Sequence, residues 1–166
     1  MKQRYIQECT NCDNVVVGRE KRGFIRDAYM KELTDLANQG DKYGQFFLAE
    51  EYRRGVHKRF INLKKAFPFY LASAEHGLYR AQVMMAFCYE YGLGTEIDLD
   101  KARIMFKQAG QSERGHGKPE EHLAMLEVNE ENYDEALRWF KEAQSKGNRT
   151  VKSYIWYLEN KFCKEE

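Results

Sequence analysis

Cys9 and Cys12 stand in the run Cys9-Thr10-Asn11-Cys12, the spacing with which a chain offers half of a tetrahedral zinc site. A closed site needs two more ligands. Cys88, Cys163, His57 and His76 are distant in sequence, and none forms a second close pair. Thiol redox chemistry would require a thioredoxin-like βαβ context, which the sequence lacks. The plainer reading is two unpaired thiols in an N-terminal arm, and cysteines this sparse suit a reducing compartment better than a disulfide framework. The histidines, His57, His76, His116 and His122, show no metal-ligand pairing, and no Gly-x-Ser-x-Gly nucleophile motif is present. His116 lies in a glycine-containing loop, and His76 precedes a helix-end glycine, where a partial positive charge suits the helix dipole. Gly92-Leu93-Gly94 superficially suggests a phosphate loop, but it follows a helix and lacks the Gly-Lys-Ser/Thr ending. Arg53-Arg54, Lys58-Arg59 and Lys64-Lys65 form a basic cluster, readable as a phosphate site or as solvated helix ends and a turn. These residues lead us to expect no catalytic residues, no metal and no cofactor.

The composition narrows the partner. Lys+Arg is 27 and Asp+Glu is 26, a net charge of +1. Near neutrality gives no electrostatic case for nucleic acid or a membrane surface. The N-terminus is polar, without an apolar signal core, and no stretch has the uninterrupted apolar length that spans a bilayer. The expectation is a soluble, cytoplasmic protein; an effector exported by a non-classical signal would have the same character. The two prolines, Pro68 and Pro119, belong to no low-complexity tract, and eleven Tyr, ten Phe and two Trp suffice to fill a core.

A repeat positions these residues. Gly44, Leu48, Ala49, Tyr52 and Gly55 are followed by Lys65-Ala66, Phe69-Tyr70, Ser73-Ala74 and Gly77. The series returns as Ala81, Met85, Ala86, Tyr89, Gly92 and Gly94, then Lys101-Ala102, Met105-Phe106 and Ala109-Gly110. A third copy gives Glu135-Ala136, Trp139-Phe140, Ala143 and Gly147. Ala66 to Ala102 is a step of 36 residues, and Ala102 to Ala136 a step of 34. Each unit holds two apolar stretches with helical spacing, parted by a glycine-containing turn. Small residues (Ala49, Ala86, Ala66, Ala102, Ala136) mark where helices come closest, and Phe69, Tyr70, Phe106, Trp139 and Phe140 fill the gap to the next unit. A single pair cannot bury its apolar face, so neighbours must stack.

In these residues the chain resembles the Sel1-like repeats, relatives of the tetratricopeptide repeat. Tyr89-Glu90-Tyr91-Gly92-Leu93-Gly94 followed by Asp98 to Ala109 matches best, and Gly40 to Gly77 comes next, without its second turn glycine. The unit at Lys118 to Gly147 has a shortened turn, and its Tyr133-Asp134-Glu135-Ala136-Leu137 is closer to the tetratricopeptide form. The resemblance implies an all-α, right-handed superhelix of helix pairs and a role in binding proteins. Extracellular relatives with paired cysteines in each repeat are not matched here.

The expected organisation is an irregular arm over 1–22, with a short strand at Val15-Val16-Val17, then a repeat domain over 23–162 and a tail over 163–166. Its units are a half-unit at 23–39, pairs at 40–77, 78–112 and 118–147, and a half-unit at 148–162. Helices are predicted over 23–39 and at about 41–53, 63–76, 79–91, 99–110, 119–128, 133–146 and 149–161. Gln111 to Lys118, polar with two glycines, reads as a loop or joint.

First helices of such pairs line the concave side, the usual binding surface of a solenoid. Residues between the core positions should face that side. They are Tyr43, Phe46, Glu50, Arg53 and Arg54 in the first pair, and Arg80, Val83, Phe87, Glu90 and Tyr91 in the second. In the last helix they are Ser153, Tyr157 and Lys161. Such a wall has the Tyr, Phe and Arg composition of binding hot spots; alternatively, Phe46 and Phe87 pack inward. The leading expectation is a non-enzymatic module that binds another protein and could regulate or inhibit it. The alternatives are a homo-oligomeric scaffold built through the incomplete end units, and a small-molecule hydrolase, as linked to a few members of the resembled superfamily.

Overall fold

The computed structural model describes residues 19–55, 61–112 and 115–161. The arm and strand expected before residue 19, Cys9, Cys12, His57, Lys58, Arg59 and Cys163 lie outside the described residues. Among those described there are eight helices and no strand: α1 (Arg19–Asn38), α2 (Lys42–Arg54), α3 (Leu63–Glu75), α4 (Tyr79–Tyr91), α5 (Leu99–Gly110), α6 (Lys118–Asn129), α7 (Tyr133–Ser145) and α8 (Lys152–Lys161). α1 begins at Arg19, four residues before the expected start. Packing is densest within the pairs α2–α3, α4–α5 and α6–α7, and each first helix also packs on the second helix of the pair before it. By this packing α1 takes the place of a second helix and α8 that of a first helix.

Local chemistry sets the boundaries. Asp41, Asn62 and Asp98 each stand just before a helix and accept a hydrogen bond from a first-turn N–H through the side chain. At the pair ends the N–H of Asp41, Leu78 and Asn148 returns to the carbonyl of Leu36, Ser73 and Ala143, five residues back. Glu131, at φ 62°, makes the shortened third-pair turn without a glycine, and Asn132 N–H reaches the Glu127 carbonyl. Pro68 falls in the second turn of α3, on its exposed side. Gly94 has a more specific task. Its φ is +83°, and a Cβ there would collide with the backbone at Leu63 and Lys64. The α4–α5 turn thus rests directly on the first turn of α3.

The core follows the repeat. Ala66, Ala102 and Ala136 are buried, as are Tyr70, Phe106 and Phe140 four residues later. Each such ring removes 150–250 Å² from water on average, contributing on the order of 2–3 kcal/mol. Phe69 and Trp139, expected beside them, are half-buried, and Phe69 stacks on Tyr52 at 6.0 Å. Counting from Gly40, Gly77 and Gly147, the fourth residue is Gly44, Ala81 and Val151, and the eighth is Leu48, Met85 and Ile155, all buried. The ninth is Ala49, Ala86 and then Trp156. The two alanines are fully enclosed, whereas Trp156 is 67% exposed.

Polar ties hold the third pair together and fasten it to the second. Lys146 Nζ donates to the Gly110 carbonyl at 3.0 Å and to Glu120 Oε1 at 2.6 Å. Glu120 is only 2% exposed. Buried Asn148 donates to the Gly117 carbonyl and to Glu121 Oε2.

Candidate partner-binding surface

The first helices lie side by side. The Arg80 guanidinium of α4 sits 5.3 Å from the ring centre of Phe46 on α2, and the Phe87 ring of α4 lies 4.8 Å from His122 on α6. One surface therefore runs across α2, α4 and α6. Tyr43, Arg54, Arg80, Tyr91, Ser153, Tyr157 and Lys161 are exposed on the first helices, and Arg53, Val83, Phe87 and Glu90 are half-buried. Tyr43 is 48% and Tyr91 58% exposed.

Two residues of the expected wall do not face solvent. Phe46 is 4% exposed and Glu50 7%. A first helix in a stack touches the preceding second helix on one side and its own second helix on the other, so its free strip is narrow. Phe46 packs on Tyr70 at 5.9 Å and is roofed by Arg80. This corrects the expectation that Phe46 and Glu50 are exposed.

Glu50 instead anchors a charge cluster. Arg53 donates from Nε to Oε1 at 3.0 Å and from Nη2 to Oε2 at 2.8 Å, Arg54 Nη2 lies 3.0 Å from Oε2, and the Tyr70 hydroxyl donates to Oε1. Burial alone would push the Glu50 carboxyl up, but these donors outweigh it and hold it below its ordinary value. Burial, with the Glu50 carboxylate beside it, pushes the Tyr70 hydroxyl far up, so Tyr70 remains a donor. Glu50 thus offsets one of the two positive charges of Arg53-Arg54 from within. Cys88, the free cysteine among the described residues, is buried, and burial pushes its thiol up to about 11. At neutral pH it is a core residue and not a nucleophile.

The second pair differs. Phe87 is enclosed by aromatic rings: Tyr91 stacks on it at 6.1 Å, Phe106 meets its edge at 5.5 Å, and His122 lies across it. Burial lowers the His122 imidazole's pKa although Glu90 and Glu121 pull it the other way. Tyr91 hydrogen-bonds Glu90, which raises the phenol. Glu90 Oε2 is buried and has no hydrogen-bond partner among the described residues. Sequence reasoning missed the α6 contribution, His122 and exposed Met125. The polar joint before Lys118 breaks the repeat count, so the register that located the other residues stops there.

Of the other histidines, His76 Nδ1 is 3.1 Å from Gln45 Oε1, and His116 is exposed at φ 45°. Among the described residues no group of three or more His, Cys, Asp or Glu is placed to hold a metal ion, and no helix is long and apolar enough to cross a membrane.

Comparison with known proteins agrees with this architecture. The Sel1 repeat model matches residues 42–78, 80–112 and 128–148. The chitin synthase regulator SKT5 of Saccharomyces cerevisiae is 31% identical over 104 residues, which are 63% of this chain and 15% of that protein. The chain thus spans under a sixth of that relative's length. A Sel1 repeat protein from Oxalobacter formigenes superposes with a TM-score of 0.66 at 25% identity, over 83% of this chain and 58% of that one. A protective antigen of uropathogenic Escherichia coli displaying an SLR fold superposes with a TM-score of 0.69 at 23% identity, over 80% of this chain and 29% of that one.

Proposed function

Since the chain belongs to the Sel1 repeat family, whose fold is a typical protein-interaction scaffold, we propose that it is a non-enzymatic adaptor gripping a partner protein along the surface of α2, α4 and α6. The observation that supports this most is the aromatic strip there: Tyr43, Phe87, Tyr91 and Met125 stand open or half-open, with Arg80 and Arg53 beside them. Rigid rings flanked by arginine concentrate binding energy. Regulation of the partner is the finer form of the reading. It draws on the yeast relative, which is named as a regulator of chitin synthase and which this chain matches over a small part. The protein would act in the cytoplasm.

The test is affinity capture from the native host with wild type, Tyr43→Ala/Met125→Ala and Trp156→Ala, after confirming an unchanged helical melt. The expected outcome is one protein held by wild type and by Trp156→Ala, and lost with the double variant. Retention by the double variant would sink the inner-surface reading. A second reading, self-association, is favoured by Tyr154, Trp156 and Tyr157, all exposed on α8. Sedentary monomer mass in solution for wild type and Trp156→Ala alike would remove it.

A further inference from the structure

Building on the partner-binding reading, we infer that Glu90 is the seat of an arginine side chain supplied by the bound protein, held against the rings of Tyr91 and Phe87. The register of the repeat carries the argument. Ten, thirteen and fourteen residues after the pair-end glycine, the first pair has Glu50, Arg53 and Arg54; the second has Phe87, Glu90 and Tyr91. The first set supplies its carboxylate from within, Glu50 taking four contacts from two arginines and a tyrosine. In the second set the carboxylate, Glu90, stands at the place of Arg53, and aromatic rings stand at the places of Glu50 and Arg54, so this set holds an acid and no cation.

Glu90 is left under-supplied. It receives the Tyr91 hydroxyl, while its Oε2 is buried with no partner among the described residues. A buried carboxylate oxygen without a donor is unfavourable, and a donor arriving from outside gains accordingly. His122 is near enough to feel the charge, but burial favours its neutral form, so it brings no compensating cation. Tyr91 is 58% exposed, so its ring is open to a side chain arriving from solvent.

A guanidinium fits better than an ammonium. Its plane lies flat on a ring while its N–H edge donates to a carboxylate. The chain makes both contacts internally: Arg53 forks onto Glu50, and Arg80 covers the ring of Phe46. At Glu90 the carboxylate and the rings are in place and the arginine comes from the partner.

The probe is the peptide acetyl-Gly-Arg-Gly-amide, titrated into the whole chain while the Glu90 carboxyl and the Tyr91 and Phe87 ring resonances are followed by NMR. The expected result is saturable shifts at those groups and an affinity at least tenfold above that of the citrulline peptide, which has the same shape without the charge. Glu90→Gln, nearly isosteric, should lose at least tenfold, and Glu131→Gln, in the α6–α7 turn, should lose nothing. Tyr91→Leu, at an exposed position, should weaken binding while leaving the carboxylate shift. Equal binding of the citrulline peptide, or full binding by Glu90→Gln, overturns the inference. In the capture experiment the two readings separate. A partner lost with Tyr43→Ala/Met125→Ala but kept in full by Glu90→Gln refutes the arginine seat alone, whereas one kept by both variants refutes the inner surface as well.

Discussion

Glu50 shows how one carboxylate can change from a surface residue into part of the core. Its position in the repeat directs it toward solvent, yet Tyr70 from α3 and two arginines from its own helix close over it. Replacing it with the amide breaks the fork with Arg53, because one acceptor oxygen becomes an NH2 donor, and leaves Tyr70 only a neutral oxygen to donate to. Glu50→Gln is therefore expected to cost about 2 kcal/mol at pH 7, the scale of a hydrogen bond to a charged group, read as a lower midpoint in urea. The pH dependence has a definite sign. The folded carboxyl titrates below its ordinary value of 4.5, so the unfolded chain binds its proton first as pH falls. The contribution is fully present above about pH 4.5 and fades as pH drops through the folded value. The gap between wild type and Glu50→Gln should hold from pH 7 to 5 and narrow as pH falls below about 4.5; a gap that stays constant on acidification would show that the charge is not what stabilises. Part of this was legible. Glu50, Arg53 and Arg54 have the three- and four-residue spacing of helical ion pairs. The burial was not legible, because it depends on Tyr70, twenty positions away, and nothing local in either segment announces their meeting.

The helices were the most legible feature of the sequence, since their ends carry capping chemistry. Asp41, Asn62 and Asp98 accept from first-turn N–H groups, and glycines close the pair ends. Where the third pair uses Glu131 in place of a glycine, the turn could be located only by its shortened length. Glycine itself has two meanings that the sequence does not separate. At Gly40 a Cβ would meet nothing within 4 Å, and the residue serves only its φ of +79°. At Gly94 the same kind of φ is combined with a collision against the backbone of α3. Gly40→Ala should thus cost about 1 kcal/mol, the left-handed penalty alone. Gly94→Ala should cost about 3 kcal/mol, because overpacking against rigid backbone is added. Thermal melts of the two variants side by side test this, and equal losses would mean that the α4–α5 turn can lift off α3 without consequence. Phe46 was misplaced for a reason at the same scale. A two-sided pattern of core and solvent positions describes an isolated amphipathic helix, whereas α2 is packed by α1 and α3 at once.

At the scale of the whole molecule, stability is a chain of pair-to-pair couplings. Between the second and third pairs the coupling runs through Lys146, which reaches from the end of α7 across to the Gly110 carbonyl of α5 while holding Glu120 of its own pair. Lys146→Met would leave the Glu120 carboxylate buried without its cation, at a cost of about 3 kcal/mol. It should also separate the last pair from the rest. Both tryptophans, Trp139 and Trp156, belong to α7 and α8, so fluorescence reports that end and far-UV circular dichroism reports the whole. In urea the two curves should coincide for wild type and part for Lys146→Met, with fluorescence moving first; curves that stay superimposed would place the coupling elsewhere. The same end of the molecule holds Trp156 where earlier units hold Ala49 and Ala86. An indole at the point of closest helix approach changes the spacing rule of the array. A second helix laid on α8 at the separation used within the other pairs would collide with that ring, so whatever meets this face must stand farther off or approach at another angle. One residue thereby gives an otherwise periodic object a direction: the spacing rule that holds from pair to pair stops at α8.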